Sequence, residues 1–193
     1  MTAAHTVPGP LLVPPGRGRT VTVAAQEVTF KVTGEHSRAA STFEVVVPPG
    51  FDVGAHTHTH SEELFYVIEG ELEVLAFEPL VRSPEHWREW ESAAGERAVR
   101  AGPGTLLFVP PGCPHAFANT GRTPARVLFQ AAPPPAHERY FEELLEILAP
   151  GGEVDDPAIA ALRLRYDVHQ LTPLRYEPPE GPGKPEGRTK KAP

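Results

Sequence analysis

Three histidines spaced one residue apart, with a glutamate soon after them, are the residues of this chain best suited to chemistry. His56, His58 and His60 alternate with threonines, so an extended backbone would place all three imidazoles on one face. Glu63 follows, and His115 stands far downstream at the start of another apolar segment. Neutral imidazoles and a carboxylate suit Mn, Fe, Co, Ni, Cu or Zn. The pattern predicts a site for one divalent transition metal ion, with positions left for water or substrate.

Several neighbours compete for these ligand roles. His60 is a candidate fourth imidazole, or a hydrogen-bonding partner of a ligand. Glu62 is an alternative to the adjacent Glu63. Cys113 lies two residues before His115, and we interpret it as a buried turn residue rather than a thiolate ligand. The other histidines have no partner at metal-site spacing and are interpreted as surface or structural residues: His5, His36, His86, His137 and His169.

The segments that must position these residues read mainly as short strands. The 193 residues include 24 prolines and 17 glycines, which argues against a helical bundle, and 40% hydrophobic residues, which suffice for one core. Alternating or β-branched segments bounded by proline and glycine predict strands at residues 20–24, 27–33, 41–47, 64–68, 71–77, 106–109, 115–118 and 125–131. Strands at this spacing indicate an all-β sandwich or barrel.

Two helices are predicted after the strands. Residues 136–148 carry a broad apolar stripe with glutamates opposite, and residues 156–166 begin with an Asp-Pro pair typical of a helix start. We expect both helices to pack on the barrel or on a partner subunit. The predicted organisation is a flexible N-terminal tail at 1–10, a barrel over 11–131, a helical extension over 132–176 and a disordered tail over 177–193.

Charge and composition exclude several classes of partner. The net charge of −7 would repel a phosphate backbone, so nucleic acid is not expected as a partner. No apolar run approaches the roughly 18 residues that span a bilayer, so no membrane partner is expected. Residues 1–10 lack lysine, arginine and an apolar core, so no secretory signal is expected either. The single cysteine excludes an intrachain disulfide, and we expect a cytoplasmic protein.

The glycines, prolines and candidate ligands together resemble the two sequence motifs of the cupin family. The first motif is matched, at the family's spacing, by Gly50, His56, His58, Glu63 and Gly70. The second motif is matched by Gly104, Pro110, Gly112, His115 and Asn119. The resemblance implies one antiparallel jelly-roll barrel with a metal ion inside it. It also implies the metal ligands, which would be His56, His58, Glu63 and His115.

Physical reasons support the roles of the other motif residues. Gly50 and Gly70 stand where strands reverse, where a positive φ carries no Cβ penalty. Pro110 and Gly112 give a turn that returns the chain toward the site, and Asn119 is expected to be a hydrogen-bonding turn residue rather than a reactant.

The chain most resembles small, single-barrel quercetin 2,3-dioxygenase-like cupins, which share the four ligands and a helical C-terminal extension. That resemblance implies a dioxygenase acting on a small phenolic, flavonol-like substrate, with Glu63 as metal ligand and general base. One alternative is a non-redox isomerase, cyclase or decarboxylase of a polyketide-like or enolisable substrate. Another is a cupin that binds a metal or small molecule without turnover. The family resemblance also implies a homodimer.

The substrate pocket is harder to predict than the ligands. Trp87 and Trp90 stand three residues apart on a short helical turn, and they form either a packed flap or an aromatic wall over the barrel mouth. An apolar or aromatic small molecule is the expected substrate, because the other candidate lining residues are mainly apolar. These candidates are His60, Phe65, Val67, Phe108, Phe117 and Phe129.

Overall fold

Short strands joined by tight turns make up most of the protein, as its proline and glycine content predicts. The computed structural model describes residues 9–133, 137–148 and 157–178. Most of each predicted tail, residues 1–8 and 179–193, lies outside these described residues.

The described strands include all eight predicted segments and five further short strands. In chain order they are β1 (Arg19–Val23), β2 (Gln26–Val32), β3 (Ser41–Val47), β4 (Phe51–Asp52), β5 (His56–Thr57), β6 (Glu62–Glu69), β7 (Leu72–Ala76), β8 (Val99–Ala101), β9 (Leu106–Val109), β10 (His115–Ala118), β11 (Ala125–Ala132), β12 (His169–Gln170) and β13 (Arg175–Tyr176). The helices are α1 (His137–Leu148), α2 (Pro157–Arg165) and a 3-10 turn at Trp87–Glu89.

The strands form two antiparallel sheets. The first has the order β1-β2-β3-β11-β6-β9. The second has the order β12-β5-β10-β4-β13, and β7 joins it by pairing with both β10 and β8. The predicted all-β jelly-roll fold with two short helices is confirmed, although the sheets are not joined into one closed barrel.

Strict alternation of buried residues builds the core between the sheets. Every second residue of β3 and β11 is buried, because side chains on a strand point alternately to opposite faces. Phe43, Phe65 and Phe129 form a continuous aromatic stack in this core, with ring centroids 5.5 and 5.0 Å from Phe129. This aromatic stack packs beneath the polar site.

The two helices pack against the core of their own chain. Phe141 of α1 meets the ring of Phe43 edge-on at 5.5 Å, and Ile159 and Leu162 of α2 are fully buried. The bounds of both helices agree with the prediction to within one residue at each end. No helix in the described ranges is long and apolar enough to cross a bilayer.

The tryptophan pair packs on the far side of the second sheet and does not form a wall over the barrel mouth. Trp87 and Trp90 are 2% and 1% exposed and lie in a cluster with Ala116 and Ala118 of β10. These alanines alternate with His115, so their side chains point to the opposite face of the sheet. The assignment of Trp87 and Trp90 to the substrate pocket is therefore corrected, and the packed-flap interpretation agrees with the structure.

A close backbone approach explains the glycine at the β6–β7 turn. Gly70 has a φ of +75°, and a Cβ added there would lie 2.7 Å from the Ala125 Cα. Gly104 has a similar φ of +88°, but nothing lies within 4 Å of its added Cβ. The two positions therefore share backbone strain and differ in steric room.

Substitution of these glycines by alanine separates the two effects. Gly104→Ala is expected to lower the free energy of unfolding by about 1–2 kcal/mol, the cost of a left-handed alanine. Gly70→Ala is expected to lower it by about 2–5 kcal/mol, because overpacking against β11 adds to that cost. Urea unfolding measures both values, and equal losses would contradict the steric account.

Candidate metal centre

Two facing sheets bring four residues from two distant parts of the sequence to one point inside the jelly roll. His56 begins β5, His58 follows that strand, Glu63 lies on β6 and His115 begins β10. One potential ligand atom from each residue lies within 4.8 Å of all the others, and all four side chains are buried. His56 and His115 are direct cross-strand partners in the second sheet. The structure therefore gathers the four residues that the cupin resemblance implied as ligands.

Backbone carbonyls fix the orientation of all three imidazoles. Each ring directs its Nδ1 at a carbonyl oxygen, which can only accept a hydrogen bond, so Nδ1 carries the proton. In the neutral ring the Nε2 lone pair then remains free to bind a metal. The three pairs are His56 with Gly54 at 3.0 Å, His58 with Asp167 at 2.9 Å and His115 with Cys113 at 3.1 Å.

Glu63 lies between two of these rings. Its Oε1 is 3.1 Å from the Nε2 of His58, and its Oε2 is 3.0 Å from the Nε2 of His115. Burial alone would raise the pKa of this carboxyl, but the nearby imidazoles outweigh it and lower the pKa well below its usual range. Glu63 is therefore a buried carboxylate that keeps its charge.

An unpartnered nitrogen tests whether these residues fit a metal ion. The Nε2 of His58 is buried and has no hydrogen-bond partner among the described residues, because its approach to Glu63 lacks hydrogen-bond geometry. Burying such a nitrogen without a partner is costly, whereas coordination of an ion would satisfy it. Three imidazoles and one carboxylate, all directed inward, fit a divalent transition metal.

Burial and charge act differently on two of the histidines. Burial, together with the neighbouring His115 and His58, lowers the pKa of His56 well below its usual value, which keeps its ring neutral as a ligand requires. Burial also acts to lower the pKa of His58, but the Glu63 carboxylate outweighs it and the pKa is raised. A bound cation would take the place of the proton on His58 as the positive charge beside Glu63.

His60 does not share the face of the other two histidines in its run, and this prediction is corrected. The strand ends at Thr57, and the backbone bends outward at Thr59 and His60, after the buried His58. The Asp167 carboxylate accepts hydrogen bonds from the backbone N–H of Thr59 at 3.0 Å and of His60 at 2.8 Å. These bonds hold the backbone in the bend, so His60 is exposed outside the site.

His137 belongs to the site, although the sequence interpretation placed it on the surface or in a structural role. It is 3% exposed, and its Nε2 lies 3.4 Å from the Oε1 of Glu63. The residue opens α1 shortly after β11, where Ala131 pairs with Glu63. This register places the start of α1 beside Glu63, and nothing in the local sequence around His137 indicated it.

A mostly apolar cavity of about 80 Å³ opens beside the cluster. Phe65, Phe117 and Phe129 line it, as predicted from the sequence. Val67 lines a separate small void deeper in the core, and Phe108 is half exposed on the edge strand β9. The pocket assignments of Val67, Phe108 and His60 are therefore corrected.

The turn residues of the second motif hold the site in place through hydrogen bonds. The N–H of Gly112, which has a φ of +79°, donates to the carbonyl of His58 at 2.7 Å. The Asn119 side chain is buried, and its Nδ2 donates to the carbonyls of Val47 and Thr123 at 2.9 Å each. Asn119 is thus a turn residue that joins β10 to the first sheet. Cys113 is half-buried, lies outside the ligand cluster and contributes a carbonyl rather than a thiolate.

The charge on Asp167 is expected to stabilise the fold in a pH-dependent way. Burial alone would raise the pKa of this carboxyl, but the N–H groups of His60 and Thr59 lower it from 3.8 to about 2. Because the folded-state pKa lies below the unfolded one, the stabilisation is present above about pH 4 and is lost as the pH falls through 2.

Asp167→Asn tests this role, because asparagine also tolerates the left-handed φ of +58° found there. We expect a loss of about 1–2 kcal/mol in unfolding free energy at pH 7 that shrinks toward zero near pH 2. Glu71→Gln is the matched control, since it removes an exposed charge and should change stability little. A pH-independent loss in Asp167→Asn, measured by denaturant titration, would refute the electrostatic account.

Comparison with known proteins agrees with this geometry. The model of the cupin family matches residues 9–148, nearly three quarters of the chain. An uncharacterised protein of Methanocaldococcus jannaschii is 29% identical over 95 residues, which are 49% of this chain and 62% of that protein. The match thus spans less than two thirds of this curated relative.

Solved structures are similar to this chain over part of its length. A predicted oxalate decarboxylase from Thermotoga maritima has 21% identity and a TM-score of 0.50, with 63% of this chain and 98% of that chain covered. The polyketide cyclase RemF from Streptomyces resistomycificus has 20% identity and a TM-score of 0.48, with 63% and 78% covered. The family match covers both sequence motifs and all four clustered residues, and the chain therefore belongs to the cupin family.

Proposed function

We propose that the protein is a metal-dependent enzyme that acts on a small, largely apolar molecule bound in the cavity beside Glu63. The observation that carries this proposal is the convergence of four buried potential ligands, three of which line a mostly apolar cavity. His56, His58, Glu63 and His115 would hold one divalent ion. A purely structural metal site would not need to open on such a cavity.

The bound ion would supply Lewis-acid chemistry, lowering the pKa of a substrate hydroxyl or polarising a carbonyl. Glu63 is the residue placed to accept the substrate proton, since it remains ionised although buried and lies at the cavity wall. The imidazole of His137 contacts the same carboxylate from α1 and can hold a proton at its Nε2 beside Oε1. The surrounding phenylalanines would make the environment of this proton transfer less polar.

The first candidate reaction is dioxygenation of a phenolic or enolic compound. The four ligands suit redox-active ions and leave positions for both substrate and oxygen. The cavity of about 80 Å³ favours a compound smaller than a three-ring flavonol, since an engineered cavity of about 150 Å³ binds ligands of the size of benzene. We therefore narrow the expected flavonol-like substrate to a single-ring or smaller compound.

The second candidate is a non-redox isomerisation, cyclisation or decarboxylation of an enolisable substrate. It is favoured by His137, because a second proton-carrying group beside Glu63 serves proton transfer more directly than oxygen chemistry. The two candidates differ in their need for oxygen.

The proposal also includes a homodimer and a cytoplasmic location. It includes no nucleic-acid partner and no membrane partner.

Glu63→Gln tests the proposed base. We expect this variant to retain metal, because the three imidazoles remain, and to lose turnover by roughly a hundredfold or more. Elemental analysis measures the metal. Consumption of catechol and acetylacetone, with and without O2, measures turnover by the iron- and cobalt-loaded protein. Oxygen-dependent consumption supports the dioxygenase, and oxygen-independent consumption supports the non-redox enzyme.

Glu62→Gln is the matched control, because Glu62 is the exposed neighbour of Glu63 on the same strand. It should keep both metal and turnover. An unchanged rate in Glu63→Gln would refute the base role. Metal bound at one equivalent without consumption of either compound would favour the non-catalytic binding protein over the enzyme.

A further inference from the structure

A second group of polar side chains lines the same cavity, and its residues lie outside both cupin motifs. We call this group the second polar pole. Arg163 of α2 and Gln26, the first residue of β2, line the cavity together with the His58 and Glu63 side chains. The Nε of Arg163 and the Nε2 of Gln26 are buried and have no hydrogen-bond partner in the described part of the chain. The cavity lining therefore includes two unsatisfied donors that do not belong to the ligand cluster.

Donors buried in this way indicate a ligand that accepts hydrogen bonds. Gln26 is 8% exposed, so water does not reach its amide freely. A buried N–H group without an acceptor costs free energy that a bound acceptor would recover. Because both orphan atoms are donors and neither is an acceptor, the missing partner is an oxygen-rich group rather than an amine.

Because Arg163 is positively charged, the oxygen-rich group that it would bind is expected to be an anion. Within residues 9–133, 137–148 and 157–178, its guanidinium forms no ion pair with a carboxylate, whereas the nearby Arg165 pairs with Glu143. The hydroxyl of Tyr140 lies close enough to Arg163 for the guanidinium to act on its pKa. Burial raises that pKa, although Arg163 opposes the shift, so Tyr140 stays neutral and does not neutralise the guanidinium. A guanidinium whose Nε is buried without a partner is best satisfied by a carboxylate.

Tyr140 also connects this pole to the metal centre. The pKa of its hydroxyl is influenced by the charges of both Arg163 and Glu63, and all three residues line one cavity. A divalent ion bound by one carboxylate would leave a net positive charge at the metal centre. The rest of the cavity wall is largely apolar and includes Val45, Val127 and Phe141.

From this arrangement we infer that the substrate is a small carboxylic acid with an apolar body. Arg163, aided by Gln26, binds its carboxylate, and a second oxygen of the substrate faces the metal centre. This inference rests on the proposed function for the metal end only. Arg163 and Gln26 are binding residues in this account and take no part in bond making or breaking.

Isobutyrate and isobutyramide test the inference, because they share shape and differ in charge. Isothermal titration of the zinc-loaded, full-length protein is expected to give a Kd for isobutyrate at least tenfold below that for isobutyramide. Arg163→Met should raise the isobutyrate Kd by roughly tenfold to a hundredfold and leave the isobutyramide Kd unchanged. Gln26→Met should raise the isobutyrate Kd by roughly threefold to tenfold.

Two further variants provide controls. Arg165→Met removes an exposed arginine from the same helix and should leave the isobutyrate Kd unchanged. Arg163→Lys keeps the charge without the planar fork and should give an intermediate Kd, and it replaces Arg163→Met if circular dichroism shows that variant to be unfolded.

The zinc content of each variant distinguishes the two proposals. Zinc bound normally, with an equal isobutyrate Kd in wild type and Arg163→Met, would overturn the carboxylate inference and leave the metal enzyme standing. Arg163-dependent binding of isobutyrate to a protein that binds no zinc would support the inference and overturn the proposed function. Normal zinc together with Arg163-dependent binding supports both.

Discussion

The buried charge of Glu63 is the constraint on which the rest of the site depends. A carboxylate in an apolar interior is stable only if cations or hydrogen-bond donors surround it. Imidazoles from three separate segments, His58, His115 and His137, fulfil this requirement. Because Glu63 lies on the first sheet and these imidazoles come from the second sheet and from α1, the charge on one side chain ties together elements far apart in the sequence.

The carbonyl groups behind the histidines give the site its orientation. The imidazoles of His56, His58 and His115 are each held from behind by a backbone oxygen, so their tautomers are set by the fold rather than by the ligand. The phenylalanine stack beneath the site keeps water away and makes these electrostatic interactions stronger. The same stack forms the apolar wall of the cavity, so core packing and substrate binding share residues.

The sequence predicted the elements that local rules govern. Alternation identified the long strands, and the spacing of two motifs selected His56, His58, Glu63 and His115. It failed where distant segments meet. His60 follows the same local pattern as its neighbours, but the carboxylate of Asp167, more than a hundred residues away, holds the backbone in an outward bend. His137 and Arg163 carried no local signal, because only the packing of α1 and α2 over the open side of the jelly roll brings them to the cavity.

X-ray absorption spectroscopy of the cobalt-loaded protein tests the central claim, that three imidazoles and one carboxylate form a metal centre. We expect about one equivalent of cobalt with only nitrogen and oxygen neighbours and with the multiple-scattering pattern of three imidazole rings. A spectrum with a sulfur neighbour from Cys113, with fewer than three imidazoles, or with no stoichiometric cobalt would contradict it.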